Sequence, residues 1–142
     1  MKKIKVGFLP NSTDFKHPQD RRRYVPFLDD LNIEPEVAIF KNHYEILYVS
    51  LNCDLNQWSK YKKFHEGKNT RIIFDLSDNY LADNFLNSVL RSIAHFMTGK
   101  TKSFIFDYRT SIKNMLEVSD VVTVGSIEQK EYVSEFHSDV RI

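Results

Sequence analysis

The sequence is poor in cysteine, in net charge and in long apolar runs. It has one cysteine, Cys53, in 142 residues. One thiol excludes an intrachain disulfide and cannot build a zinc site by itself; a reduced, cytoplasmic setting is the expectation. No apolar run approaches the ~18 residues that a membrane-spanning helix needs, and the opening MKKIKVGFLP reads as too short in its apolar part for a secretory signal. The net charge is only +1, so nucleic acid is not an expected partner. Basic residues gather only locally, at Arg21-Arg22-Arg23 and at Lys60-Tyr61-Lys62-Lys63. The five histidines, at 17, 43, 65, 95 and 137, show no metal-ligand spacing, so no metal site is expected. After Pro35 there is no proline at all.

What is present is ordinary globular composition, 42% hydrophobic with 13% aromatic, enough for one domain over 1–142 with a real core. Apolar runs at 4–9, 36–40, 45–51, 70–76 and 120–125 read as strands. The end, DVRI at 139–142, reads as the opening of a sixth. Helical spacing falls between most of them: 19–32 with a break or kink at Pro26, 54–66 capped by Asp54, 79–97, 103–117 and 127–136. Gly67 and Gly99 are placed to stop helices. Strands alternating with helices predict an α/β fold, a doubly wound parallel sheet of Rossmann-like type with helices on both faces. The strand order expected is 3-2-1-4-5-6, with a flavodoxin-like order as the alternative. Ligands in such sheets bind beyond the carboxyl ends of the strands, so the loops at 10–18, 75–79 and 125–129 are the ones to watch. A chain stopping at DVRI stops where another loop and helix are expected, as in a piece of a larger enzyme.

Asp75 and Asp78 lie at the end of the fourth apolar run, in IIFDLSD. Strand-end carboxylates can act as acid and base or hold Mg²⁺. A phosphatase of the Asp-x-Asp-Gly kind is a poor match, because Ser77 stands where the second Asp belongs. Asp78 also reads as a helix cap; Asp75 needs no such role and faces the expected crevice. The run AHFMTGKT at 94–101 imitates a phosphate loop, but it follows a helical pattern rather than a strand, and reads as a helix end. The arginines after His17-Pro18 open the helix that follows the first strand, where Arg21 and Arg22 would attract an anionic group. No Gly-x-Gly-x-x-Gly follows that strand, which argues against a dinucleotide there. Ser126 reads as an N-cap on the crevice rim. The helix of 81–97, followed by Lys100 and Lys102, is expected to bury one face on the sheet, with peripheral membrane contact as the other reading.

The order of these features resembles the N-terminal domain of GT-B fold glycosyltransferases, near family 4. Four places carry the resemblance: the first strand with His17-Pro18-x-Asp20-Arg21-Arg22-Arg23-Tyr24; Tyr48-Val49-Ser50; Ile72-Ile73-Phe74-Asp75-Leu76-Ser77-Asp78; and Met115-Leu116 through Ser119-Asp120-Val121-Val122-Thr123-Val124-Gly125-Ser126, then Glu128-Gln129. The resemblance spans nearly the whole chain. It implies the acceptor-side half of a two-domain transferase of glycan or polysaccharide biosynthesis. The nucleotide-sugar donor would bind a C-terminal domain, so this domain alone would be inactive and hold no cofactor. It implies a sugar or lipid-linked acceptor, with Asp75 and Asp78 on the catalytic side and Asn11, Ser12, Asp14, Arg21, Arg22, Ser126 and Gln129 binding substrate. Two other readings stand beside it: a stand-alone regulatory or binding module, and a Mg²⁺-dependent phosphate-transferring enzyme using Asp75.

Overall fold

A computed structural model describes residues 4–28, 30–31 and 33–142. The fold is α/β, with five parallel strands in one sheet: β1 (Val6–Leu9), β2 (Ile46–Ser50), β3 (Arg71–Leu76), β4 (Val121–Val124) and β5 (Val140–Arg141), side by side in chain order. The expected order 3-2-1-4-5-6 is not the one found. The second apolar run forms only a bridge, Val37 to Phe8, on the outer edge of β1, where Phe8 N donates to Glu36 O at 2.8 Å and Ala38 N to Phe8 O at 2.8 Å. With that bridge counted as a strand, the six expected strands run 2-1-3-4-5-6, which is the flavodoxin-like alternative.

The reason lies in the link to β2. Residues 39–45 carry the chain back with no helix of their own, and Tyr44 is fully buried against Gly7. Tyr44 is held from three sides. Its hydroxyl donates to Glu36 Oε1 at 2.7 Å and accepts from Ile39 N at 3.1 Å, and its own N–H donates to the Tyr61 hydroxyl at 2.9 Å. This short return sets β2 directly beside β1. A Cβ on Gly7 would meet the Tyr44 ring at 2.8 Å and Ala38 Cβ at 3.0 Å. We expect Gly7→Ala to cost about 1–3 kcal/mol through overpacking, read as a lower urea midpoint. Gly125→Ala, whose Cβ would meet nothing closer than Ser77 O at 3.6 Å, should change stability little.

Alternation along the strands divides the core in two. Leu47, Val49, Ile72, Phe74, Leu76, Val122 and Val124 point to one face and form the main core with α3 (Leu55–Trp58), α4 (Tyr61–Phe64), α6 (Tyr108–Val118) and α7 (Ile127–Val133). Asp54 caps α3 as expected, accepting from Gln57 N at 3.1 Å. The expected helix of 54–66 is interrupted at Ser59–Lys60. The opposite face is covered over β1 and β2 by α1 (Pro18–Arg23) and α2 (Val25–Leu28), where Tyr24 and Leu28 pack on Val6, Phe8, Ile46 and Tyr48. The break between these helices falls at Tyr24, two residues before Pro26, as proline's lost donor and ring bulk require. Asp29 and Asn32, in the same expected helix, lie outside the described residues.

One helix departs from expectation in its orientation. α5 (Phe85–Met97) does not bury its apolar face on the sheet. It lies outside α6, burying Ser88 and Ser92, while Leu86, Leu90 and Met97 face outward. The small serines let the two helices approach, and polar bonds fix them: Ser88 Oγ donates to Asp107, and Arg109 N donates to Ser88 Oγ at 3.1 Å. The cap of α5 is Asn84, which accepts from Asn87 N at 2.9 Å; Asp78, the cap expected from sequence, is too far upstream. Gly99 follows with φ 71°, the left-handed residue that ends the helix.

Candidate functional site

In this strand order the crevice opens beyond the carboxyl ends of β1 and β2, where the connections change direction. Its floor is a buried polar cluster on the α1 face. The register places Ser50, Asp75 and Thr123 side by side on β2, β3 and β4, all pointing the same way. Above them α1 presents Asp20 and Arg23, and the residue that ends it, Tyr24, follows at the i, i+3, i+4 spacing of a single face.

Asp75 is 2% exposed and held from two sides. Arg23 grips it as a fork, Nη2 to Oδ1 at 2.6 Å and Nε to Oδ2 at 3.3 Å. The Thr123 hydroxyl donates to Oδ1 at 2.9 Å. Arg23 also donates to Val124 O at 3.3 Å, so one guanidinium ties α1 to the ends of β3 and β4. Both oxygens of this carboxylate are therefore engaged, by charge-assisted bonds from Arg23 and by the Thr123 hydroxyl. Two hydroxyls in the cluster, Tyr24 and Ser50, are buried with no hydrogen-bond partner among the described residues. Burial first, and then the negative charge of Asp20, pushes the Tyr24 phenol up from its ordinary value. Burial and Asp75 do the same for Tyr48. Both phenols therefore remain proton donors.

Asp20 does a separate job. It is fully buried and accepts Asn11 N at 2.9 Å, Asn11 Nδ2 at 2.6 Å and Ser12 N at 3.1 Å. In nucleotide-binding sheets the amides of the loop after the first strand hold a phosphate. Here a carboxylate of the chain itself fills that ring of donors. The loop is finished by Ser12 Oγ, which accepts from His17 N at 2.9 Å, and by His17, whose ring accepts from Gln19 N and caps α1.

Of the residues nominated from sequence, Asn11 and Ser12 thus meet at Asp20, and Asn11 Oδ1 also accepts from Asn52 Nδ2 at 2.7 Å. Asp14 is exposed at the loop tip; a hydrogen bond from Lys16 N holds its carboxyl below the usual range. Arg21 and Arg22 are exposed on the outer side of α1. Asp78 sits partly buried on the rim, where its charge contributes to raising the Tyr80 phenol, after burial. Ser126 caps α7, accepting from Gln129 N at 3.2 Å. Gln129 is buried and engaged at both ends of its amide: Nε2 donates to Leu76 O at 2.8 Å and Oε1 accepts from Gly125 N at 3.0 Å. It locks β3 to β4 and offers nothing to a ligand. Arg23, Asp20, Tyr24 and Ser50 were not nominated; the spacing Asp20-x-x-Arg23-Tyr24 is the signal that could have found three of them.

Beside the polar cluster lies an apolar cleft of about 350 Å³, lined by Phe8, Tyr24, Leu28, Ile46, Tyr48 and Ile73, with Arg23 at its edge. Tyr24 and Tyr48 stand between cleft and cluster, ring centroids 4.6 Å apart. Among the described residues no group of three or more His, Cys, Asp or Glu side chains could hold a metal ion. Comparison with family models, with curated proteins and with solved structures finds no match to this chain.

Proposed function

We propose that this chain is the acceptor-side domain of a nucleotide-sugar-dependent glycosyltransferase of GT-B type, taking a sugar or lipid-linked acceptor and depending on a donor-binding domain for catalysis. The single observation that carries the reading is Asp20. Its carboxylate occupies the amides of the first loop, where a nucleotide-binding sheet would hold a diphosphate, so the donor's phosphates have no seat at that loop. What is left at the crevice suits an uncharged, hydroxyl-rich ligand. Asn52 and Ser77 stand at the strand ends, and Asp78 supplies an acceptor on the rim. The exposed Arg21 and Arg22 can meet an anionic group at the outer edge.

A phosphate-transferring role for Asp75 with Mg²⁺ fits less well. Both carboxylate oxygens are engaged by Arg23, and a cation would have to displace that guanidinium. In the proposed enzyme Asp75 instead fixes the crevice floor, and Asp78 is the carboxylate with room to touch an acceptor.

Titrating the isotope-labelled chain with an oligosaccharide panel should move the amide resonances of Asn52, Ser77 and Asp78. Uridine diphosphate should leave those of Asn11 and Ser12 in place. A nucleotide diphosphate that binds at Asn11 and Ser12, with no response to any saccharide, would overturn the reading.

A further inference from the structure

The outward side of α5 is a continuous apolar strip. Phe85, Leu86, Leu90 and Met97 are exposed, Leu86 by 65% and Met97 by 80%. The strip continues past the helix through a chain of rings: Phe85 to Phe106 at 5.9 Å, Phe106 to Phe104 at 6.3 Å, and Phe104 to Phe96 at 5.7 Å. Scattered exposed apolar side chains are normal on a protein surface; a joined strip of this kind marks an interaction face.

Its charge shows what that face meets. From Asn84 to Phe106 there is no Asp or Glu, while Arg91, Lys100 and Lys102 lie in the same span. Arg91 is paired with Asp83 at 3.0 Å and stacks over the Tyr80 ring. Lys100 and Lys102 are exposed at the carboxyl end of the helix and make no ion pair among the described residues. The face is therefore apolar with unneutralised cations at one end.

We infer that this face docks on an anionic lipid bilayer, with α5 lying in the plane of the interface. A helix with aromatic and aliphatic residues on one side and basic residues at its flank binds in that way, by apolar burial plus attraction to acidic headgroups. No helix among the described residues is long and apolar enough to cross a membrane, so α5 lies on the bilayer rather than through it. A second copy of the chain is the poorer occupant. Pairing two acid-free strips would leave the lysines of both without counter-charge. The inference does not depend on the acceptor reading, since α5 lies outside the crevice.

Co-sedimentation of the chain with phosphatidylcholine vesicles, with and without phosphatidylglycerol, tests it. The chain should pellet with the anionic vesicles. Lys100→Gln and Lys102→Gln should each weaken that binding about fivefold, the equivalent of ~1 kcal/mol per lysine near an anionic surface. Leu90→Asp/Phe96→Asp should weaken it about tenfold or more, with an unchanged melting temperature because both side chains are exposed. Equal binding to both vesicle types would overturn the inference. So would undiminished binding of Leu90→Asp/Phe96→Asp. No vesicle binding, with a concentration-dependent dimer that the same double substitution abolishes, would replace the bilayer with a second copy.

Discussion

Arg23→Met is expected to lower the unfolding free energy by about 3–5 kcal/mol, the loss that follows when one partner of a buried ion pair is removed. The asymmetry of the pair sets the size. Asp75 is 2% exposed and cannot reach water, whereas Arg23 is 26% exposed and can turn outward. Losing the arginine therefore strands a buried carboxylate with neutral neighbours, the Thr123 hydroxyl bonded to it and the Tyr48 phenol nearby. Asp75→Ala strands a cation that can find solvent, and should cost less, about 2 kcal/mol, within the cost of an unsatisfied buried group. Arg23→Met/Asp75→Leu should recover most of the loss, since a well-packed apolar pair often replaces a buried ion pair without penalty. Urea denaturation followed by circular dichroism gives all three values. A loss below about 1 kcal/mol for Arg23→Met would mean that the pair behaves like an exposed one, and that Asp75 is freer for chemistry than the geometry implies.

That pair also shows what the sequence concealed. Arg21, Arg22 and Arg23 are equivalent when read along the chain. Only the helical pitch, once anchored, decides which of them faces the sheet. The anchor is Asp20: with Asp20 turned inward, Arg23 and Tyr24 must follow on the same face, and Arg21 and Arg22 must point away. Asp75 was legible because an acidic residue ending an apolar run needs a reason. Its partner was not, because partners across 52 positions leave no local mark. Gln129 was read as a rim residue for the same reason: nothing in GSIEQ shows that its amide closes between Leu76 and Gly125.

The fold was legible where periodicity alone decides it. Alternating apolar runs and helical segments led to a parallel α/β sheet, and that is what forms. Strand order was not, because it turns on the path of 39–45, where Gly7 and Tyr44 meet face to face. Apolar spacing in α5 was also read correctly as amphipathic, yet an apolar stripe fixes only an axis. Which side of that axis meets the protein was decided by the small Ser88 and Ser92, buried there, and by the bonds of Ser88 to Asp107 and Arg109, residues that a search for hydrophobic contacts passes over.

The first loop supplies the second large effect. Asp20→Ala should destabilise the chain by about 3 kcal/mol, because hydrogen bonds to a charged acceptor contribute about 1.5–3 kcal/mol each and do not add fully. Asn11 N, Asn11 Nδ2 and Ser12 N would lose their common acceptor at one stroke. The effect should spread along the loop to Asn52, held through Asn11 Oδ1, and to Phe15, which packs edge-on to Phe8 and Tyr24 from a left-handed backbone at φ 58°. That conformation is unfavourable for a bulky residue and persists only while the surrounding bonds hold it. Asp20→Asn should cost less, since its amide oxygen can still accept one or two of the three donors. Formate offers a sharper test. If the carboxylate is what the loop amides require, added formate should raise the melting temperature of Asp20→Ala more than that of the unsubstituted chain, because it binds only where the donors are vacant. Equal shifts in the two proteins would mean that the loop collapses without Asp20 instead of keeping a ring of donors that an anion can fill.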